Sequence, residues 1–432
     1  MNFDPSNTQF WDAADTEREM RRVFDVCQGC RRCLPLCPSF PTLFDFLDQD
    51  EKDGDAQKLE RAEIDRVVEL CYECKLCYNH CPYTPPHEWD VDFPRLVLRA
   101  KAVQARQQGV SLQDRLLGNA DFVGRWGTRF ASLANWTMEN RTHRKLLQQI
   151  TGIEQSRKLP HFSRRRFSDW FRRRQRQQVA SISESAPPSP RVAFFATCSV
   201  EYNRPQTGQA AIAVLEKNGV LVELPEQRCC GMPYLDGGDI EHTVENARYN
   251  VARLAPLVEK GCTVVTPGPT CSYMLKQEYP LLLKDTAAEK VAAHTQDLCE
   301  YLIHLHKQGK LSLDFSGPVP RWIAYHLPCH LKAQNIGFRS RDLLRLIPNT
   351  QVELIDQCSG MDGTWGMKSR FYQLSSKIAD RLVGKVQDGE PEAVATDCPL
   401  AALQMEDRSG LRPEHPVEIL CRAYGLESVM EE

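Results

Sequence analysis

Two cysteine runs of identical spacing near one end of this chain restrict its fold more than any other feature. The first is Cys27, Cys30, Cys33 and Cys37, followed by Pro38; the second is Cys71, Cys74, Cys77 and Cys81, followed by Pro82. Each reads C-x2-C-x2-C-x3-C-P. In that spacing one tight loop supplies three thiolates of a [4Fe–4S] cubane, and the fourth cysteine ligates the other cluster when two are present. The runs therefore predict two ligand sets with exchanged fourth members: Cys27, Cys30, Cys33 and Cys81 in one, Cys71, Cys74, Cys77 and Cys37 in the other. Zinc also takes four cysteines, but its sites more often pair C-x2–4-C units across a longer gap. The doubled spacing favours iron, and with it a chain that carries electrons.

Eighteen cysteines in 432 residues would suggest disulfides in a short secreted chain. Here the chain is long, and its first twenty residues lack a basic stretch leading into an apolar core. Reduced thiols in the cytoplasm are the expectation. No apolar run approaches the length of a membrane-spanning helix. A net charge of −3 gives no reason to expect nucleic acid as a partner.

Four regions are expected. Residues 1–95 hold both cysteine runs, with a helix predicted from Ala56 to Leu70. Residues 96–190 read as a helical connector ending in a Ser/Pro-rich linker, 181–190. Beyond Arg191 short apolar strands alternate with amphipathic helices, which predicts parallel sheets. This part is an internal repeat, 191–318 and 319–432. In the first copy the strands Val192–Thr197, Val220–Leu224 and Cys262–Thr266 lead to Cys198, to Cys229-Cys230-Gly231, and to Gly268-Pro269-Thr270-Cys271. In the second the strands Ile323–Leu327, Gln351–Ile355 and Ala393–Thr396 lead to Cys329, to Cys358-Ser359-Gly360, and to Cys398-Pro399-Leu400-Ala401. Cys198 and Cys329 lie 131 positions apart, Cys229 and Cys358 129, and Gly268 and Cys398 130. All follow strand C-termini, the edge at which open parallel sheets bind ligands. The fold class is thus an α-helical two-cluster ferredoxin-like domain followed by a duplicated α/β Cys-Cys-Gly module with parallel sheets.

The pattern common to both copies is Cys, Cys-Cys-Gly, Cys-x-x-Cys, and neither copy keeps all of it. The first retains Cys198, Cys229, Cys230 and Cys271, enough for a further [4Fe–4S] cluster. The second retains Cys329, Cys358 and Cys398, with Ser359 and Ala401 at the other places. Three thiols can hold a cluster with one open iron, can bind zinc together with a histidine such as His330, or can be relics.

Doubled ferredoxin-type runs followed by two such modules resemble the heterodisulfide reductase D and glycolate oxidase iron–sulfur subunit group. Within it the chain resembles the C subunits of anaerobic glycerol-3-phosphate dehydrogenases. The stretches that carry the resemblance are RVAFFATCSVEYNRPQTG, RCCGMP, YHLPCHL, MDGTWG, TDCPLAALQ and HPVEIL. It implies an electron-transfer subunit that takes electrons from a flavoprotein dehydrogenase and passes them towards quinone. Two rivals stand beside this reading. One is an enzyme reducing a disulfide at a Cys-Cys-Gly cluster, against which the incomplete second copy counts. The other is a ferredoxin domain joined to a docking module without redox chemistry.

No G-x-G-x-x-G follows a strand and no G-x-x-x-x-G-K-[ST] occurs, so no flavin, nicotinamide or nucleotide fingerprint is present. No catalytic residue can be nominated. The segment 161–178 interleaves arginines (Arg164, Arg165, Arg166, Arg172, Arg173, Arg174, Arg176) with Phe162, Phe167, Trp170 and Phe171. It reads either as a helix on an anionic membrane surface or as a solvated basic face whose aromatics pack inward. Cys262, Cys299 and Cys421 fall outside the repeat positions and read as small buried hydrophobes.

Overall fold

A computed structural model describes residues 3–178 and 190–426. Residues 181–189 of the expected linker lie outside the described residues. The N-terminal part is helical: α1 (Ala13–Cys30), α2 (Ser39–Leu47), α3 (Arg61–Leu70), α4 (Leu76–His80) and α5 (Phe93–Gln108) enclose a core of Phe24, Phe40, Leu43, Val67, Leu96 and Val97. The helix expected from Ala56 is in fact a short 3-10 turn, Ala56–Lys58, followed by α3. The break has a local cause. Glu60 starts a new helix by forming a capping box with Glu63, so Leu59 and Glu60 stay extended.

The connector is a row of short helices, α6 (Leu112–Gly118), α7 (Ala120–Arg129), α8 (Ala131–Glu139) and α9 (Arg141–Thr151), followed by α10 (Phe167–Gln178). Glycines let the row lie close to the repeat. A Cβ on Gly118 would come within 2.6 Å of the Tyr234 ring, and one on Gly124 within 2.3 Å of Tyr202. In α10, Phe167 and Phe171 are buried in the core beside Phe194, with Trp170 packed against it. Each such aromatic burial stabilises by about 1.5–3 kcal/mol. This face is therefore spent on the interior, which decides against α10 laying its aromatics on a membrane.

Each repeat copy is a parallel sheet. The first has strand order β2-β1-β3-β4, made of β1 (Arg191–Phe194), β2 (Leu221–Glu223), β3 (Thr263–Thr266) and β4 (Thr295–Asp297). The second has order β6-β5-β7, made of β5 (Trp322–His326), β6 (Gln351–Ile355) and β7 (Ala393–Thr396). In register, Val192 pairs with Val222 and Thr263, and Ile323 with Val352 and Ala393. Both central strands lie where the chain reverses its direction of winding, the switch point at which such sheets open a crevice.

Strand β4, Thr-Gln-Asp, is polar and does not stand out as an apolar run. Its counterpart in the second copy is a single parallel bridge from Ala395 to Glu414. The likeness continues into the next helix. Asp297 caps Leu298–Lys307 in a box with Glu300, and His415 caps Pro416–Ala423 in a box with Glu418.

The two copies pack against each other reciprocally, the second helix of each on the last helix of the other. Helix Pro205–Lys217 packs on Pro416–Ala423, and the matching pair Arg339–Leu344 and Leu298–Lys307 packs likewise. One hydrophobic core runs through both copies. Cys299 and Cys421 are wholly buried in that core, and Cys262 precedes β3 rather than lying in it. The N-terminal domain sits on the second module's cysteine-bearing edge. Trp365 donates to the Glu69 carbonyl at 3.0 Å, Arg370 pairs with Glu69 at 2.7 Å, and Asn79 donates to the Ala333 carbonyl at 2.9 Å.

Candidate metal centres

The eight N-terminal cysteines gather into two sets, and the sets are crossed. Cys27, Cys30, Cys33 and Cys81 line one small cavity with Phe40, Phe44 and Tyr83. Burial and then the thiols of Cys33, Cys81 and Cys30 act on Cys27. Cys71, Cys74 and Cys77 instead sense Cys37. Cys77 also feels Cys33, so the two sets adjoin.

Local geometry explains the loops. Glu73 and Lys75 take left-handed backbone angles, φ +59° and +65°, turning the chain so that Cys71, Cys74 and Cys77 face inward together. Both side chains are buried and pair at 2.8 Å. Lys101 from α5 joins them, donating to the Cys71 carbonyl at 2.9 Å and to Glu73 at 3.3 Å. Burial works against the Lys101 charge, but Glu73 overcomes it and raises the ammonium above its ordinary range. The Glu73 carboxylate, 3.7 Å from Cys71 Sγ, and the ammonium of Lys101 thus both stand beside this set, the carboxylate acting on Cys71 the more strongly.

In the first module the thiols are in contact in the order Cys198, Cys229, Cys230, Cys271. The glycine of Cys-Cys-Gly has a plain cause. Gly231 sits at φ +91°, and a Cβ there would press on Thr243; Gly360 sits at φ +70°, and a Cβ there would come within 2.6 Å of the Ser375 carbonyl. The site is sealed by residues with no cysteine to advertise them. Asp121 on α7 accepts from the Cys229 amide at 2.7 Å and from the Tyr202 hydroxyl at 3.2 Å. Tyr279 donates to the Cys230 carbonyl at 3.0 Å, and Asn250 donates to Tyr279. Cys198 and Cys271 lie in the first turn of short helices, and the neighbouring thiols and burial together hold both pKa values above the ordinary thiol range.

In the second module Cys329, Cys358 and Cys398 line one cavity of about 60 Å³ together with Asp362, His326, His330 and Ser359. Asp362 is the residue that spacing alone did not single out, although it lies inside the MDGTWG stretch. Its carboxylate accepts from Cys329 at 2.8 Å and from Cys358 at 3.8 Å. His330 does not turn towards these thiols. One ring nitrogen meets the Thr270 hydroxyl at 2.9 Å and the other the Glu73 carbonyl at 3.0 Å. The zinc site with His330 as a ligand is thus not formed; the imidazole instead ties both modules to the N-terminal domain. Cys74 and Tyr72 line the same cavity, with the Tyr72 hydroxyl 3.5 Å from Cys358 Sγ. The second module's thiols therefore border the buried N-terminal set.

Burial pushes the thiols up: Cys33 to about 12, Cys37 to about 11, Cys358 to about 12 and Cys398 to about 11. Free of metal, they are neutral at pH 7. A metal must displace their protons, which couples loading to pH. These donor sets suit iron–sulfur clusters, since each is sulfur-rich, compact and largely closed to solvent.

Comparison with known proteins agrees with this architecture. Residues 20–109 match the family described as citrate utilization protein B Fer4-like domain. Residues 192–276 and 323–406 each match the family described as cysteine-rich domain. The C subunit of anaerobic glycerol-3-phosphate dehydrogenase from Escherichia coli strain K12 is 31% identical over 337 residues, 77% of this chain and 82% of that protein. The B subunit of fumarate reductase (CoM/CoB) from Methanothermobacter marburgensis is 29% identical over 53% of this chain and 44% of its own length. Lactate utilization protein A of Bacillus pumilus is 29% identical over 48% of this chain and 87% of its own.

Proposed function

The chain belongs to the family of the anaerobic glycerol-3-phosphate dehydrogenase C subunits, and on that footing we propose that it is an electron-transfer subunit working between a flavoprotein dehydrogenase and quinone. The observation that carries this reading is the crossed grouping of Cys27, Cys30, Cys33 and Cys81 beside Cys71, Cys74, Cys77 and Cys37. Those residues would hold two [4Fe–4S] clusters, and Cys198, Cys229, Cys230 and Cys271 a third. When bound, such clusters supply one-electron oxidation and reduction.

The chain's own residues do the rest. The buried Glu73–Lys75 pair and Lys101 fix the charge around Cys71, and Tyr72 bridges that set to Cys358. Asp121, Asn250 and Tyr279 hold the Cys-Cys-Gly backbone of the first module and keep water from it. The chain supplies no nucleotide fingerprint, so the hydride chemistry falls to a flavoprotein partner.

An acceptor in or on the cytoplasmic membrane face fits the connector. Helices α7–α9 and the Phe130 link between the first two present Phe122, Trp126, Phe130, Leu133, Trp136, Leu146 and Ile150, each more than half exposed. Arg125, Arg129, Arg164 and Arg173 line a groove alongside Trp126. Aromatic and aliphatic side chains beside arginines suit an anionic lipid surface, each arginine contributing about 1 kcal/mol. Among the described residues no helix is long and apolar enough to cross a membrane.

Anaerobic purification with iron, sulfide and zinc analysis and EPR tests the reading. Cys229→Ser/Cys230→Ser separates it from the docking-module rival. The double variant is expected to lose about four irons and electron transfer from the flavoprotein to a quinone analogue. Unchanged iron and unchanged transfer would leave the first module as a scaffold.

A further inference from the structure

We propose that Asp362 is the fourth protein ligand of the second module, completing with Cys329, Cys358 and Cys398 an iron–sulfur site of three thiolates and one carboxylate. The inference deepens the electron-transfer reading and rests on it.

Position is the first ground. Aligned through Cys229 and Cys358, Asp362 corresponds to Pro233, so the first module has no carboxylate there and needs none with four thiols. Where the second module has lost two cysteines, the loop directly after the Cys-Ser-Gly triplet brings in an oxygen donor. The replacements do not serve. Ser359 Oγ accepts from the Met361 amide at 3.5 Å and, unlike Asp362, makes no hydrogen bond to Cys329 or Cys358; Ala401 has no donor, and His330 is bonded on both ring nitrogens elsewhere.

The second ground is the company Asp362 keeps. Its side chain is buried, and its hydrogen-bonding partners are the thiols of Cys329 and Cys358. Among the described residues it has no ion-pair partner. A buried carboxylate without a cation is costly unless it is neutral or bound to metal. Its backbone is held at φ +28°, and a Cβ on the next residue, Gly363, would come within 2.6 Å of Asp236. An uncommon non-glycine conformation, followed by a glycine that leaves no room for a side chain beside Asp236, fixes the carboxylate where the thiols meet it.

The third ground is the donor set. Cys398 lines the same cavity, and the Leu400 and Ala401 amides at the start of helix Pro399–Ser409 hydrogen-bond its sulfur. Three soft sulfurs and one hard oxygen make a ligand set in which the oxygen-bound iron is held least firmly.

The test is metal content and EPR of anaerobically reconstituted full-length protein, wild type beside Asp362→Ala, Asp362→Cys and Cys329→Ser. Wild type is expected to hold about sixteen irons, four in each of four sites. Asp362→Ala should lose about one iron and show the EPR signal of a three-iron cluster. Cys329→Ser should lose about four irons. Asp362→Cys should keep the wild-type iron and, on brief ferricyanide treatment, form the three-iron species several-fold more slowly than wild type. That variant decides the matter if Asp362→Ala fails to fold. Full iron without the three-iron signal in Asp362→Ala, or equal ferricyanide rates in wild type and Asp362→Cys, would overturn the proposal. So would zinc at this site, lost with Cys329→Ser. If instead the eight N-terminal cysteines carry no iron, the electron-transfer reading itself fails, and the two failures are told apart.

Discussion

The two cysteine-rich modules share a sheet, a capping box and a left-handed glycine, yet they build different sites. The first has its thiols in mutual contact and sealed by Asp121, Asn250 and Tyr279. The second has three thiols, a carboxylate and a cavity shared with Tyr72 and Cys74 of the N-terminal domain. A duplicated fold thus preserves the edge on which a site can form while the donors diverge. The copy whose thiols border the N-terminal set is the one that lost two cysteines rather than one, and the loss coincides with a carboxylate brought to the same edge.

The largest expected effect separates the modules by metal. Cys229→Ser/Cys230→Ser should remove about four irons from the first module and abolish electron transfer, while the EPR signals of the N-terminal sets persist. Loss of those signals too would mean that the first module supports the whole assembly rather than one site.

A second contrast is titratable. His326 aligns with Phe195 of the first module and is buried, between the Thr396 hydroxyl and the Gln357 carbonyl. Burial lowers its pKa to about 4. In the unfolded chain it takes a proton near pH 6.5, so this group favours the fold above that value. Its contribution is lost as pH falls from 6.5 to 4, up to about 3 kcal/mol. His326→Phe, which imports the first module's residue, should therefore gain stability relative to wild type as pH is lowered over that window, measured by denaturant unfolding. Parallel pH curves for the two proteins would show that the imidazole is not held neutral.

A smaller effect concerns charge. Lys101→Met removes the cation beside Cys71 and should lower the midpoint potential of one N-terminal cluster by about 60 mV, one tenfold step in a one-electron equilibrium. Redox titration followed by EPR reads it, and the first module's signal should not move. The smallest effect on the fold is at the surface. Trp126→Ala should change stability by no more than about 0.5 kcal/mol and leave iron unchanged, yet reduce sedimentation with anionic vesicles. Undiminished vesicle binding would remove the connector from the membrane proposal.

Local pattern made the cysteine runs, the repeat and the strands β6 and β7 legible, because strand period and ligand spacing are properties of neighbours in sequence. Strand β4 escaped because its residues, Thr295, Gln296 and Asp297, are polar and present no apolar run. The aromatics of 161–178 point two ways in sequence, and only the core beside Phe194, built by a distant strand, decides between them. Asp121 and Lys101 were illegible for the same reason: each acts on a cysteine across the fold, and nothing in a single sequence pairs Asp121 with Cys229; Asp362 lies four residues after Cys358, but only the fold brings Cys329 to it.

The central claim is that these thiols hold iron and sulfide. Metal and sulfide analysis of the anaerobically purified full chain tests it most directly. At least about twelve irons per chain, eight from the N-terminal sets and four from the first module, with matching sulfide, is the predicted result. Zinc in the N-terminal sets, or iron below about eight per chain, would contradict it.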